Sequence, residues 1–205
     1  MNTIRLFALM AFMLLTSHVA KSQTTDYTEI YPDFKVPIIN ETLNVSTYAS
    51  KYKGSILDYS YTESNGTKVE VKSYKKGSNI EVFERPPFPA IHLVYKEFYP
   101  NGKLKQKGVF LPTQLKVGKW IECDERGNCT VTDHEIGRSQ YGYNEILGYL
   151  EFLKYYNTSD GNDWQFFFWY TPSESKWGVR VNKMDINIKC ILLTALSNMI
   201  YKRLT

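Results

Sequence analysis

Apolar and polar positions alternate along most of the chain, and that alternation predicts β-hairpins. In "SILDYSYT" (55–62), Leu57, Tyr59 and Tyr61 fall on one face, with Ile56, Asp58 and Ser60 on the other, since successive strand side chains point to opposite sides. "ESNGT" follows, and its Asn65-Gly66 pair suits the positive φ of a tight turn. "KVEVKSY" then sets Val69 and Val71 against Lys68, Glu70 and Lys72, a strictly alternating partner strand. "NIEVFER" predicts a third strand. It ends at Pro86, Pro87 and Pro89, which cannot continue a hydrogen-bonded ladder and so mark a boundary or crossover.

Two further hairpins repeat one plan. "IHLVYKEFYP", the turn "NGK" and "LKQKGVFL" make the first; "LKVGKWIECD", the turn around Arg126-Gly127 and "CTVTDHE" make the second. Aligning Tyr95 with Trp120 places Phe98 on Cys123, Asn101 on Arg126 and Gly102 on Gly127. Each copy is an aromatic anchor, a strand, a glycine turn and a return strand. The run "YKEFYPNGKLKQKGVF" followed by "VGKWIECDERGN", about residues 92–130, resembles the MORN-variant repeats of bacterial antitoxin-like proteins. In that family an aromatic-acidic strand leads into N-G-K-L and the next unit opens G-K-W.

Past residue 136 the period changes. "YNEILGYLEFLKYYN" carries Ile146, Leu147, Leu150 and Leu153 at helical spacing, which predicts an amphipathic helix despite Gly148. "WQFFFWYT" sets Trp164, Phe166, Phe168 and Tyr170 against Phe167 and Trp169, and apolar residues on both faces predict a central strand covered on both sides. "PSES" turns the chain into "KWGVRVN". A helix followed by an aromatic hairpin resembles, weakly, small exported α+β modules of the PepSY kind. "INIKCILLTALSNMIYKRL" places Ile188, Ile191, Leu192, Ala195, Leu196 and Met199 on one stripe, which predicts a closing helix docked on the sheet. The fold class expected is α+β: antiparallel hairpins in a repeat-like meander, then a helix, an aromatic β-hairpin and a C-terminal helix. The chain divides into a leader (1–22), a β-rich hairpin-repeat region (23–136) and an α+β module (137–205).

The leader reading comes from composition. Asn2 and Arg5 precede the apolar run Leu6 to Leu15, and Ala20 and Ser22 have the spacing of a signal-peptidase site. The run is too short to span a bilayer and suits a secretory signal cut near Ser22-Gln23. The expectation is an exported protein, periplasmic or extracellular, that does not span the membrane. The chain's net charge is +4; +4 less the charges of Arg5 and Lys21 leaves +2. That balance argues for neither nucleic acid nor an anionic lipid surface as partner.

An oxidising compartment gives the cysteines meaning. Cys123 and Cys129 flank "DERGN", so a hairpin with the right register brings them into a disulfide. Adding His134 gives C-x5-C-x4-H, three ligands at a spacing that matches no tight zinc pattern, and no metal or cofactor is expected. Cys190, in an apolar run, reads as a free, buried thiol. His92, just past Pro89, reads as structural. Asp133 and Glu135 share a strand parity and form a possible carboxylate pair, as do Asp160 and Asp163. No complete catalytic motif accompanies them: there is no G-x-S-x-G, no H-E-x-x-H and no phosphate-cradling loop.

Tyrosine and tryptophan are what binding surfaces use. We expect a partner-binding patch of Tyr141, Tyr143, Tyr155 and Trp169, because helix periodicity turns Tyr155 away from Ile146, Leu150 and Leu153, and Trp177 adds aromatic area nearby. The repeat resemblance implies a protein partner. It points to an exported immunity or antitoxin-like factor that masks a toxin, and the alternative is a non-catalytic envelope module that binds a polymer or modulates a peptidase.

Overall fold

The structure, a computed structural model, describes residues 26–138, 141–156, 164–183 and 186–193. Its centre is an eight-stranded antiparallel meander of β3 (Tyr52–Lys53), β4 (Ile56–Thr62), β5 (Lys68–Ser73), β6 (Ile80–Arg85), β7 (Leu93–Phe98), β8 (Leu104–Leu111), β9 (Leu115–Cys123) and β10 (Cys129–Asp133). Spatial order follows chain order from β3 at one edge to β10 at the other. The three expected hairpins are all present. The proline cluster proves to be a connection between paired neighbours β6 and β7.

Alternation gives this sheet one apolar face. Val69, Val71, Ile80, Val82, Val94, Phe98, Val109 and Val117 are buried on it, each stabilising the fold by roughly 1.5–3 kcal/mol if fully removed from water. A hairpin that the sequence pattern did not reveal lies against it. β1 (Asp26–Ile30) and β2 (Phe34–Ile38) contribute Ile30, Val36 and Ile38 to the same core. A short 3-10 helix, Val45–Lys51, buries Tyr48 and is capped by Asn44. The hairpin is tied to β9 by Thr28, whose hydroxyl donates to the Lys119 carbonyl and accepts from the Lys119 N–H, both at 2.9 Å. Gly118 makes room for it: φ is +61°, and a Cβ there would stand 2.3 Å from the Thr28 methyl.

The single α-helix among the described residues, α1 (Tyr143–Phe152), buries Tyr143, Ile146, Leu147 and Leu150. The Glu145 carboxylate accepts from Gly142 N–H at 2.9 Å, one half of a capping box. The helix ends before Leu153. Tyr155 N–H reaches the Leu150 carbonyl at 2.9 Å and Lys154 N–H reaches Glu151 at 2.9 Å, with Lys154 at φ 63°. Those two bonds and the left-handed residue between them are a Schellman end. Asn144 stitches α1 to the first hairpin, accepting from Tyr31 N–H at 2.8 Å and donating to the Glu29 carbonyl at 2.9 Å.

A three-stranded sheet completes the described residues: β11 (Trp164–Thr171), β12 (Lys176–Lys183) and β13 (Ile186–Leu193), in that order. Two expectations are corrected here. β11 lies at an edge and β12 is the central strand. Residues Ile186–Leu193, read as the start of a closing helix, form β13, with Val179 opposite Ile191 and Trp177 opposite Leu193. An Ile-rich run of eight residues fits either period, and pairing with β12 satisfies its backbone as a strand. The remainder of that expected helix, and the expected leader, lie outside the described residues.

Phe166, Phe168, Trp177, Val179 and Val181 join the same buried cluster as the large sheet and α1. The architecture is therefore mainly antiparallel β, not a balanced α+β, and one core joins both halves of the chain. Among the described residues no helix is long and apolar enough to cross a membrane.

Candidate functional site

The face of the large sheet opposite the core carries a continuous ribbon of rings. Register places Phe83 across from Tyr95 and Tyr95 across from Gly108. Phe83 and Tyr95 centroids are 5.4 Å apart, Tyr95 and Phe110 5.6 Å, Phe110 and Trp120 4.8 Å, and Trp120 and His134 6.0 Å. Tilted and edge-on contacts of this kind add to the area they bury. Gly108 is the reason the indole fits, because a Cβ there would stand 2.1 Å from the Trp120 ring. Cations cover part of the ribbon, with Lys116 Nζ 4.1 Å from the Trp120 centroid and Lys72 Nζ 5.6 Å from that of Phe83.

The ribbon is polar at its margins. Tyr95 donates to Glu81 at 2.8 Å; burial, then that bond, raises its phenol well above the usual range. Glu97 is buried, which works against its charge. Hydrogen bonds from Gln106 (2.6 Å), Lys105 (3.0 Å) and Asn79 (2.7 Å) outweigh that and hold its carboxyl below the ordinary value.

Trp120 and Tyr95 are buried. The ribbon becomes accessible at Phe83 and Phe110, which open into a cleft of 680 Å³. Pro86, Pro87, Phe88 and Pro112 form its walls, and Lys68 and Arg85 stand at its rim. Phe88 is 46% exposed. Arg85 is held by Glu70 at 2.6 Å. Apolar walls with a few charged groups are the ordinary make-up of a binding cleft.

The residues singled out from sequence are dispersed. Cys129 lies directly across from Cys123 in the β9–β10 ladder, and the two are joined by a disulfide. Tyr143 is buried, its hydroxyl donating to the Glu29 carbonyl at 2.5 Å. Tyr141 and Tyr155 are half-buried against the core. Trp177, expected as added surface, is buried and donates to the Tyr141 carbonyl at 3.0 Å. Trp169 lies over Gly178, on the face of the small sheet opposite Trp177, and lines a separate 470 Å³ recess with Phe167 and Arg180.

Asp133 and Glu135 do not face one another as an acid pair. Asp133 Oδ1 accepts from the Glu135 N–H at 2.9 Å, and the Glu135 carboxylate takes Arg138 at 2.8 Å. Burial raises the Glu135 carboxyl despite Arg138. His134 packs edge-on against Trp120, and burial lowers its pKa. Among the described residues no group of three potential metal ligands comes together. Asp160 and Asp163 lie outside the described residues. So does the Cys190 side chain, although its backbone is in β13.

Phe83, Phe88 and Phe110 were missed because each sits alone in its segment. The available signal was a phenylalanine on the polar parity of β6 and another between prolines. No family model matches the chain, and neither does any curated protein or solved structure.

Proposed function

We propose that the protein is an exported binding factor of the immunity or antitoxin kind, which neutralises a protein toxin by holding it at the cleft where Phe83, Phe88 and Phe110 converge. That cleft carries the reading: one exposed ring, Phe88, and two half-buried ones, Phe83 and Phe110, in a proline-walled recess with a basic rim suit an apolar anchor flanked by acidic residues. The leader composition and the antitoxin-like repeat, whose strands β7 to β9 supply Phe110 and Trp120, point the same way. Of the patch expected at Tyr141, Tyr143, Tyr155 and Trp169, Tyr143 is buried, and the competing docking surface is the half-buried Tyr155 with Trp169.

The test is affinity capture from the envelope fraction with the full chain. Compared are the wild type, Phe88→Ala with Lys68→Glu, and Tyr155→Ala with Trp169→Ala. The first double variant should weaken the retained partner at least about 30-fold, the loss of about 2 kcal/mol typical of a central anchor. Deleting the gene should sensitise cells to their neighbours. Capture unaffected by the first pair and lost with the second moves the site to the tyrosine patch. No partner and no added sensitivity would overturn the reading.

A further inference from the structure

On the core side of the large sheet, two lysines occupy positions that alternation reserves for apolar residues. Lys96 shares its strand face with Val94 and Phe98, and Lys107 shares its own with Val109 and Leu111. They are direct cross-strand partners, an arrangement that repels. Two carboxylates compensate. Glu84 lies 2.6 Å from Lys96 Nζ, and Glu41 lies 3.3 Å from Lys96 Nζ and 3.0 Å from Lys107 Nζ. Burial alone would depress both ammonium groups. For Lys96 the glutamates reverse it and its pKa rises, whereas Lys107, nearly inaccessible, stays lowered. An ion quartet of this kind is a poor device for stability, since desolvation offsets most of its attraction.

The quartet does not fill its space. It lines a 520 Å³ cleft between β2 and the sheet, walled by Phe34, Pro37, Pro87 and Val94. His92 forms part of the wall, is only 3% exposed, and packs edge-on to Phe34 at 5.0 Å. Neither ring nitrogen has a hydrogen-bonding partner within the protein, and Glu41 Oε1 has ammonium neighbours but no well-formed hydrogen bond. Burial pushes His92 down to about 4, so at neutral pH its ring offers one N–H and one bare nitrogen. Unmet polar groups in a buried wall are costly, and a ligand that meets them gains by it.

The charges of Glu41, Glu84, Lys96 and Lys107 cancel, and Lys35, which also lines the cleft, is paired with Glu29 at 2.9 Å, so the cleft selects neither an anion nor a cation. What it presents is alternating donors and acceptors between apolar walls. A hydroxyl group both donates and accepts, and a ring bearing several of them has C–H faces for the prolines and Phe34. We propose that this cleft binds one neutral, polyhydroxylated ring, a saccharide residue, through His92, Glu41 and the two lysines. The proposal stands apart from the protein-partner reading: the two clefts meet at Pro86, Pro87 and His92, but Glu41, Lys96, Lys107 and Ile39 line only this one.

Calorimetry and imidazole nitrogen NMR on the full chain test it, with glucose, N-acetylglucosamine and its β-1,4 trimer as neutral probes. Glucuronate and glucosamine serve as charged controls. At least one neutral sugar should saturate with a Kd of about 1 mM or tighter, shift the His92 ring signals and outcompete both charged sugars. Ile39, 40% exposed at the cleft wall, allows a blocking variant that leaves the core intact: Ile39→Trp should weaken binding at least about tenfold. No saturation by any neutral probe, preference for a charged sugar, or full binding by Ile39→Trp would overturn the proposal.

Discussion

His92 has a consequence at the scale of one residue. Its folded-state pKa, about 4, lies below the ordinary 6.5 because burial disfavours the charged ring. Between those values the unfolded chain binds a proton that the native protein does not. The stability is thus complete above pH 6.5 and is lost as pH falls toward 4, by about 3 kcal/mol. Urea unfolding at pH 7 and pH 4 should show His92→Phe losing less stability on acidification than the wild type, by about that amount. Parallel losses would mean that the imidazole is not desolvated as described. The sequence suggested only that this histidine was structural. Its solvation depends on Phe34, 58 positions away along the chain, which no local pattern could bring to it.

Among the elements, the β9–β10 hairpin forms the long edge of the large sheet, where an exposed strand frays most easily. Cys123 and Cys129 pin it, closing a loop with a sequence separation of 6. Chain entropy assigns so short a loop about 2 to 3 kcal/mol. Mass spectrometry of unreduced protein should find neither thiol open to alkylation, and Cys123→Ser with Cys129→Ser should lower unfolding stability by about that amount. Alkylation of both in the unreduced protein contradicts the bridge. Elements also show where periodicity stops. Extending the helical period to Tyr155 fails because α1 ends at Phe152 and the Schellman turn, not the helix, sets the direction of the next residues.

For the molecule as a whole, the first hairpin is held by its buried Ile30, Val36 and Ile38, and its register against β9 is set by the paired hydrogen bonds of Thr28, for which Gly118 makes room. Gly118→Ala forces a side chain into both a left-handed backbone and the space of the Thr28 methyl. A cost of about 1–3 kcal/mol is expected from overpacking alone. Amide exchange should show residues 26–38 losing protection before residues 68–73. If the hairpin keeps its protection while β5 loses its own, Thr28 is not the contact that docks it.

The sequence by itself determined three hairpins of the meander: alternation set Val69 and Val71 of β5 on the core face, and the Asn-Gly and Arg-Gly turns marked where those three hairpins reverse. It also determined α1, whose buried Ile146, Leu147 and Leu150 follow directly from their spacing. These are local choices, decided by neighbours within a few residues. Only the tertiary structure decided that Ile186–Leu193 is a strand, because its backbone bonds are supplied by β12 and not by its own next turn. The same holds for the two sites. The cleft at Phe88 unites rings from separate strands and loops, and Lys107 stands among apolar positions because Glu41, far along the chain, reaches it across the fold. A charge on an apolar face is visible in sequence, but the partner that makes it tolerable is chosen by packing.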